Sequence, residues 1–109
     1  MSPLSYRFKI WMVNEKEEAV FGDGLAKLLE KIDQHHSVLE ASKELGMSYR
    51  YALHRITLAE DRLGQSLVTR SRGGAKGGGS SEVTAHGKDL VVRFRKAQKD
   101  FAATIKEHS

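Results

Sequence analysis

Ser48, Tyr49, Arg50 and Tyr51 stand in a row, and His54 and Arg55 follow one turn later. On a helix that opens at Ser48, Arg50 and His54 would share one face. The planar fork of Arg50 matches O6 and N7 of a guanine. His54, one turn on, is placed to reach bases or phosphate. The hydroxyls of Tyr49 and Tyr51 suit phosphate contacts, and their rings could pack against sugars. Their alternative reading is partial burial against a neighbouring helix. Arg55 lies nearer the flank and is a phosphate candidate. The free N–H groups at Ser48 and just after it also favour phosphate. This chemistry reads a polyanion and does not break bonds.

A second basic feature follows directly. The stretch from Leu67 to Thr84 is Gly-rich and carries Arg70, Arg72 and Lys76. Such a loop has the composition of a wing that follows a nucleic-acid backbone or enters the minor groove. Net charge is +4 over 109 residues, but its placement matters more. Residues 48–79 hold 6 basic and 2 acidic side chains, whereas residues 1–47 hold 6 and 8. Phosphate contacts need that local surplus. The bland alternative is a solvated basic face.

Other chemistries find little support. The segment Gly73 to Ser80 lacks the G-K-[ST] order and the strand and helix that would aim its N–H groups at a nucleotide. The histidines, at 35, 36, 54, 86 and 108, are scattered, and no Ser/His/Asp set can be tied together. The pair His35-His36 reads as the last turn of a helix, where the dipole favours it, and not as a metal site. No cofactor and no metal are expected. The absence of cysteine excludes disulfides and thiolate sites and fits a cytoplasmic protein. No signal peptide and no membrane-spanning run are expected.

The elements that must position these residues are legible as patterns. Tyr6 to Val13 alternate, and Ala19-Val20-Phe21 follow, which predicts a β-hairpin over about 6–21. Asp23 is expected to cap a helix in which Leu25, Leu28, Leu29 and Ile32 form one apolar face. Ser37 and Glu40 fit a capping box for the next helix. Gly46 suits the left-handed position that ends it. Ser48 caps a third helix with a buried stripe of Ala52, Ile56, Ala59 and Leu63. Ala41 and Ala52 are small where two helices would cross. The span 37–63 thus reads as a helix-turn-helix. A plain helical hairpin would share the stripe but would not need Ser, Tyr and Arg at the start of its second helix. Gly64 ends that helix. Ser66–Thr69 and Glu82–Thr84 read as short strands of a wing over about 67–84. Thr84 caps a last helix over about 85–107, in which Leu90, Phe94, Ala97, Phe101 and Ile105 form an apolar seam. The seam extends beyond what a small domain needs, which points to self-association.

The segment VFGDGLAKLLEKIDQHHSVLEASKELGMSYRYA, with the later RSRGGAKGGGSSEVTAHGKDL, resembles the N-terminal domain of ModE-type molybdate-responsive regulators. The likeness runs from about Arg7 to Phe101. Its most specific pieces are Lys43 to Ala52 and the basic wing. More distantly the pattern resembles the LysR-type DNA-binding domain, down to Leu63-Gly64. The resemblance implies a winged helix-turn-helix that binds operator DNA as a homodimer through Ser48, Tyr49, Arg50 and the wing residues Arg70, Arg72 and Lys76. It also implies that the N- and C-terminal parts form the dimer interface. Two features depart from the pattern. Many relatives carry Trp where this chain has Leu53, and no segment resembles their oxyanion-binding region. An effector, if any, is therefore expected on another chain.

The combined expectation is a mainly α chain with small β elements. Its fold would be a single winged helix-turn-helix with an N-terminal hairpin, a two-stranded wing and a long C-terminal helix. Its expected partner is double-stranded DNA with an inverted-repeat operator, bound by a homodimer away from membranes. The rival readings are a protein-interaction module and a non-specific architectural DNA binder.

Overall fold

The computed structural model describes residues 3–71 and 80–108. Its elements run β1 (Trp11–Val13), β2 (Ala19–Gly22), α1 (Asp23–His35), α2 (Val38–Glu44), α3 (Tyr49–Leu63), β3 (Val68–Ser71), β4 (Ser80–Val83) and α4 (Ala85–Glu107). Two antiparallel two-stranded sheets, β1-β2 and β3-β4, flank the helices. This is a winged helix-turn-helix with a long C-terminal helix.

Local signals set most helix ends. The Ser37 hydroxyl accepts from the Glu40 N–H at 3.0 Å and opens α2. The Ser48 hydroxyl accepts from the Tyr51 N–H at 3.0 Å and opens α3. Thr84 does the same for α4 through the Gly87 N–H at 3.0 Å. Each satisfies one of the donors that a helix start leaves without a partner. Gly46 (φ 70°) and Gly64 (φ 72°) take the left-handed conformation, which costs glycine little. His36 ends α1 in the same conformation (φ 56°), an unusual role for a residue with a Cβ.

The first strand is shorter than the alternation predicts. Residues 3–10 have no regular structure, and β1 begins at Trp11. Its partner β2 has only four residues before the chain turns into α1, so no strand among the described residues pairs with residues 6–10. Met12 pairs with Phe21 and Val13 with Ala19, which leaves Val20 as a bulge. The bulge lets consecutive Val20 and Phe21 both enter the core.

Asp23 does not cap α1. The N-cap is Gly22, and it makes no side-chain cap bond. Asp23 is the first helical residue, and its carboxylate accepts from Arg95 of α4 at 2.8 Å. Arg95 also bonds Glu30 at 2.7 Å, so one guanidinium ties α4 to two turns of α1. The wing strands are shifted by about two residues from the expected ranges, to Val68–Ser71 and Ser80–Val83.

The core is built from the faces that the spacing marked. Leu25, Leu28, Leu29 and Ile32 of α1 are buried, as are Ala41, Ala52, Ile56 and Ala59. Leu63 is only partly buried. Phe94 of α4 meets Phe21 edge to face, with ring centroids 5.5 Å apart. The predicted seam of α4 is buried only in its first half, at Leu90 and Phe94. Further on, Phe101 remains 52% exposed. The N-terminal residues Tyr6 and Phe8 run beside Ala102 and Ile105 along a shallow groove.

Candidate nucleic-acid interface

The turn between α2 and α3 fixes how the third helix is presented. The Met47 N–H donates to the Ser42 carbonyl at 3.0 Å, and the Leu45 N–H donates to the Ala41 carbonyl at 3.1 Å. Ala41 and Ala52 are both fully buried where the helices meet. The α3 axis can come close to α2 because both residues are small. Its N-terminal turn is then left facing solvent.

Tyr49, Arg50, Tyr51 and His54 are all exposed on that turn and the next. Tyr49 is 44% and Tyr51 47% exposed, so both keep substantial surface open to solvent. Among the described residues, no acidic side chain pairs with Arg50 or His54. The Ser48 cap takes the Tyr51 N–H, and the Ser48 carbonyl takes the Ala52 N–H. The N–H groups of Tyr49 and Arg50 lie ahead of these bonds and remain open to an anion.

Arg55 is turned sideways. Its Nη1 donates to the Tyr51 hydroxyl at 3.1 Å, and its guanidinium carbon lies 5.9 Å from the centre of the Tyr51 ring. The pair stiffens both side chains and carries the Arg55 charge toward the start of α1. Arg70 is exposed on β3 opposite Ser81. Arg72 and Lys76, the other two expected wing contacts, lie outside the described residues. The structure thus brings Ser48, Tyr49, Arg50, Tyr51, His54 and Arg55 to one end and flank of α3. Arg70 stands on the neighbouring wing.

Three residues that pattern reading passed over hold this arrangement. The Glu60 carboxylate accepts from the Leu67 N–H at 2.8 Å and the Val68 N–H at 3.2 Å. It therefore ties the end of α3 to the start of the wing. Arg62, counted in the basic surplus, is spent internally. Its Nη1 donates to the Ala19 carbonyl at 2.8 Å, and its Nε faces Glu18 at 3.9 Å. Gly87 lets the first turn of α4 lie against the Leu67 carbonyl. None of the three sits at a position where a local motif would expose its role, because each partner is distant in sequence or is a backbone atom.

The wing is also fastened at its other edge. The Ser81 N–H donates to the His36 carbonyl at 2.9 Å, and His36 Nδ1 lies 3.0 Å from Glu82. His35 faces Glu44 at 3.4 Å. The two histidines therefore point to different partners. Among the described residues, no group of three or more His, Cys, Asp or Glu side chains could hold a metal ion. Among the described residues, no helix is long and apolar enough to cross a membrane.

Residues 25–88 match the family described as bacterial regulatory helix-turn-helix protein, lysR family. The match runs from the apolar face of α1 through the wing to the first turn of α4. Two curated relatives are similar over most of this chain. The molybdenum transport protein ModE of Azotobacter vinelandii is 29% identical over 83 residues, which is 76% of this chain and 30% of that protein. The molybdenum-pterin-binding protein MopA of Rhodobacter capsulatus is 35% identical over 75 residues, which is 69% of this chain and 28% of that protein. The chain thus spans under a third of the length of these relatives. The likeness to ModE-type and LysR-type domains read from the residues holds over this shared segment.

Proposed function

This chain belongs to the LysR-type family of bacterial regulatory helix-turn-helix proteins, and we propose that it is a sequence-specific regulator that reads operator DNA as a homodimer. The observation that carries this reading is the exposed first turn of α3. Arg50 on that turn and His54 on the next face solvent without an acidic partner among the described residues. A helix in this position reads base edges with its N-terminal residues. Arg50 is assigned a guanine edge, and His54 a base or phosphate. Tyr49, Tyr51, Arg55 and the Ser48 end of the helix are assigned to phosphates and sugars. Arg70, Arg72 and Lys76 are assigned to the backbone or the minor groove.

The uncovered second half of α4 supports the dimer. Phe101 is exposed there, and Tyr6 and Phe8 lie alongside. A second copy would bury this apolar surface and set two recognition helices on half-sites about one helical turn, roughly 34 Å, apart. The whole chain would then act as one winged unit.

The test is selection from a pool of random duplexes, followed by a salt titration on the enriched sites. An inverted repeat with a log–log salt slope reflecting several phosphates is the expected result. Arg50→Ala should cost about 1–3 kcal/mol at one base pair and leave random-sequence binding nearly unchanged. Equal losses on selected and random DNA would refute the base-reading role of Arg50. Binding without enrichment would favour an architectural role. No DNA binding at low salt would favour a protein partner.

A further inference from the structure

A cavity of about 590 Å³ opens between the N-terminal hairpin and α3, with Lys9, Trp11, Phe21, Arg55 and Arg62 in its lining. Small-molecule sites span about 300–1,000 Å³ and pair apolar walls with a few convergent polar groups. This cavity has both. Its apolar lining includes Val20, Leu25 and Leu58. Trp11, the single tryptophan of the chain, is 56% exposed at its wall.

The charge of the cavity is one-sided. Arg55 and Arg62 lie seven residues apart on one flank of α3, roughly 10 Å along its axis. Lys9 approaches from the N-terminal segment. Asp23 is acidic, but its carboxylate is occupied by Arg95 at 2.8 Å and Lys27 at 3.1 Å. Arg62 is held by Glu18 and the Ala19 carbonyl. Among the described residues, the hydrogen-bond partner of Arg55 is the Tyr51 hydroxyl, and no carboxylate pairs with its guanidinium. A guanidinium in that state binds a carboxylate or phosphate through charge-assisted bonds. The exposed Trp11 indole in the same lining offers a flat face for stacking.

We propose that this cavity binds a small planar aromatic anion, with its carboxylate or phosphate on Arg55 and Lys9 and its ring against Trp11. The site lies on α3 itself, so this chain would respond to a small molecule directly and not only through a partner chain. Binding draws the Arg55 guanidinium away from Tyr51. Occupancy is therefore felt at the first turn of α3, and by linkage DNA and ligand would each alter the affinity for the other.

Trp11 makes the test direct, because it is the only indole in the chain. Phenyl phosphate, benzoate and inorganic phosphate are titrated separately into the DNA-free protein, and Trp fluorescence and calorimetric heat are read together. Saturable quenching by phenyl phosphate or benzoate, with a dissociation constant of about 1 mM or tighter, is expected. Arg55→Gln should weaken it by about tenfold or more. Lys99→Gln, on the exposed face of α4, should leave it unchanged. If Arg55→Gln fails to fold by circular dichroism, Lys9→Gln takes its place, since Lys9 is exposed on an irregular segment. The proposal is overturned by no saturable response up to about 10 mM, by parental affinity in the Arg55→Gln or substituted Lys9→Gln variant, or by equal binding of inorganic phosphate with no Trp11 response. Because no DNA is present, these outcomes are independent of the DNA-binding experiment.

Discussion

Replacing Gly87 with alanine sets two physical effects against each other, and the structure predicts which wins. Gly87 lies in the first turn of α4, where helix propensity alone favours alanine by up to about 1 kcal/mol. A Cβ built at Gly87 would lie 2.8 Å from the Leu67 carbonyl oxygen and 2.8 Å from Val83 Cγ1. Neither neighbour can give way cheaply. The Leu67 carbonyl is backbone and accepts from the Thr84 N–H at 2.9 Å, and Val83 is buried. Overpacking of this kind costs about 1–3 kcal/mol. The net expectation is a loss of about 1–2 kcal/mol. With a urea slope of about 1–2 kcal/mol per molar, the midpoint should fall by about 1 M. Gly24→Ala is the matched control. A Cβ there would meet only the tip of the Arg55 side chain, at 3.5 Å, which is ordinary contact. That variant should gain about 0.4–1 kcal/mol. Urea unfolding followed by circular dichroism reads both. A Gly87→Ala protein as stable as the parent would refute the argument that α4 is seated on the wing through this close approach.

Two further perturbations separate capping from charge. Ser48→Ala removes the acceptor for the Tyr51 N–H and should cost about 1 kcal/mol. Hydrogen exchange at the Tyr51 amide should speed up with it. Ser48→Asp should restore the exchange protection yet weaken DNA binding, because a carboxylate would then face phosphate. Recovery of both would argue against phosphate contact at this turn. The Asp23 carboxyl is held at about 2 instead of 3.8, chiefly by the hydrogen bond from Arg95. Its folded pKa is lowered, so its contribution is complete above about pH 3.8 and is lost as pH falls through about 2. Asp23→Asn should therefore flatten the stability profile between about pH 4 and pH 2. Salt should shrink the difference, because both partners are partly solvated. An unchanged acid limb would remove the Asp23–Arg95 pair from the account of how α1 and α4 are joined.

Most of the fold could be read from local spacing, and the reason is range. A cap joins a side chain to an N–H three residues away, so Ser37, Ser48 and Thr84 could be assigned from the sequence alone. A left-handed turn concerns one residue, so Gly46 and Gly64 could be assigned as well. The apolar faces of α1 and α3 follow from a period that no distant contact alters. The exposed order Ser48, Tyr49, Arg50 and His54 at a helix start belongs to the same class of signal.

What only the tertiary structure decided involves partners far apart in the chain. The alternation over residues 6–10 is genuine, but a strand needs a neighbour, and β2 is too short to provide one. Asp23 has the right chemistry for a cap, yet an arginine 72 residues away takes its carboxylate. Arg62 adds to the basic count but is consumed by the hairpin, whereas Arg55, two turns earlier on the same flank, keeps its charge available. Glu60 and Gly87 set where the wing stands, through contacts with the backbone at Leu67 that leave no trace in composition or period. The sequence by itself determined which elements form and which turn of α3 is polar and basic. The tertiary structure decided which charges remain available, because an ion pair or hydrogen bond to a distant residue withdraws a side chain that looks free in the linear chain.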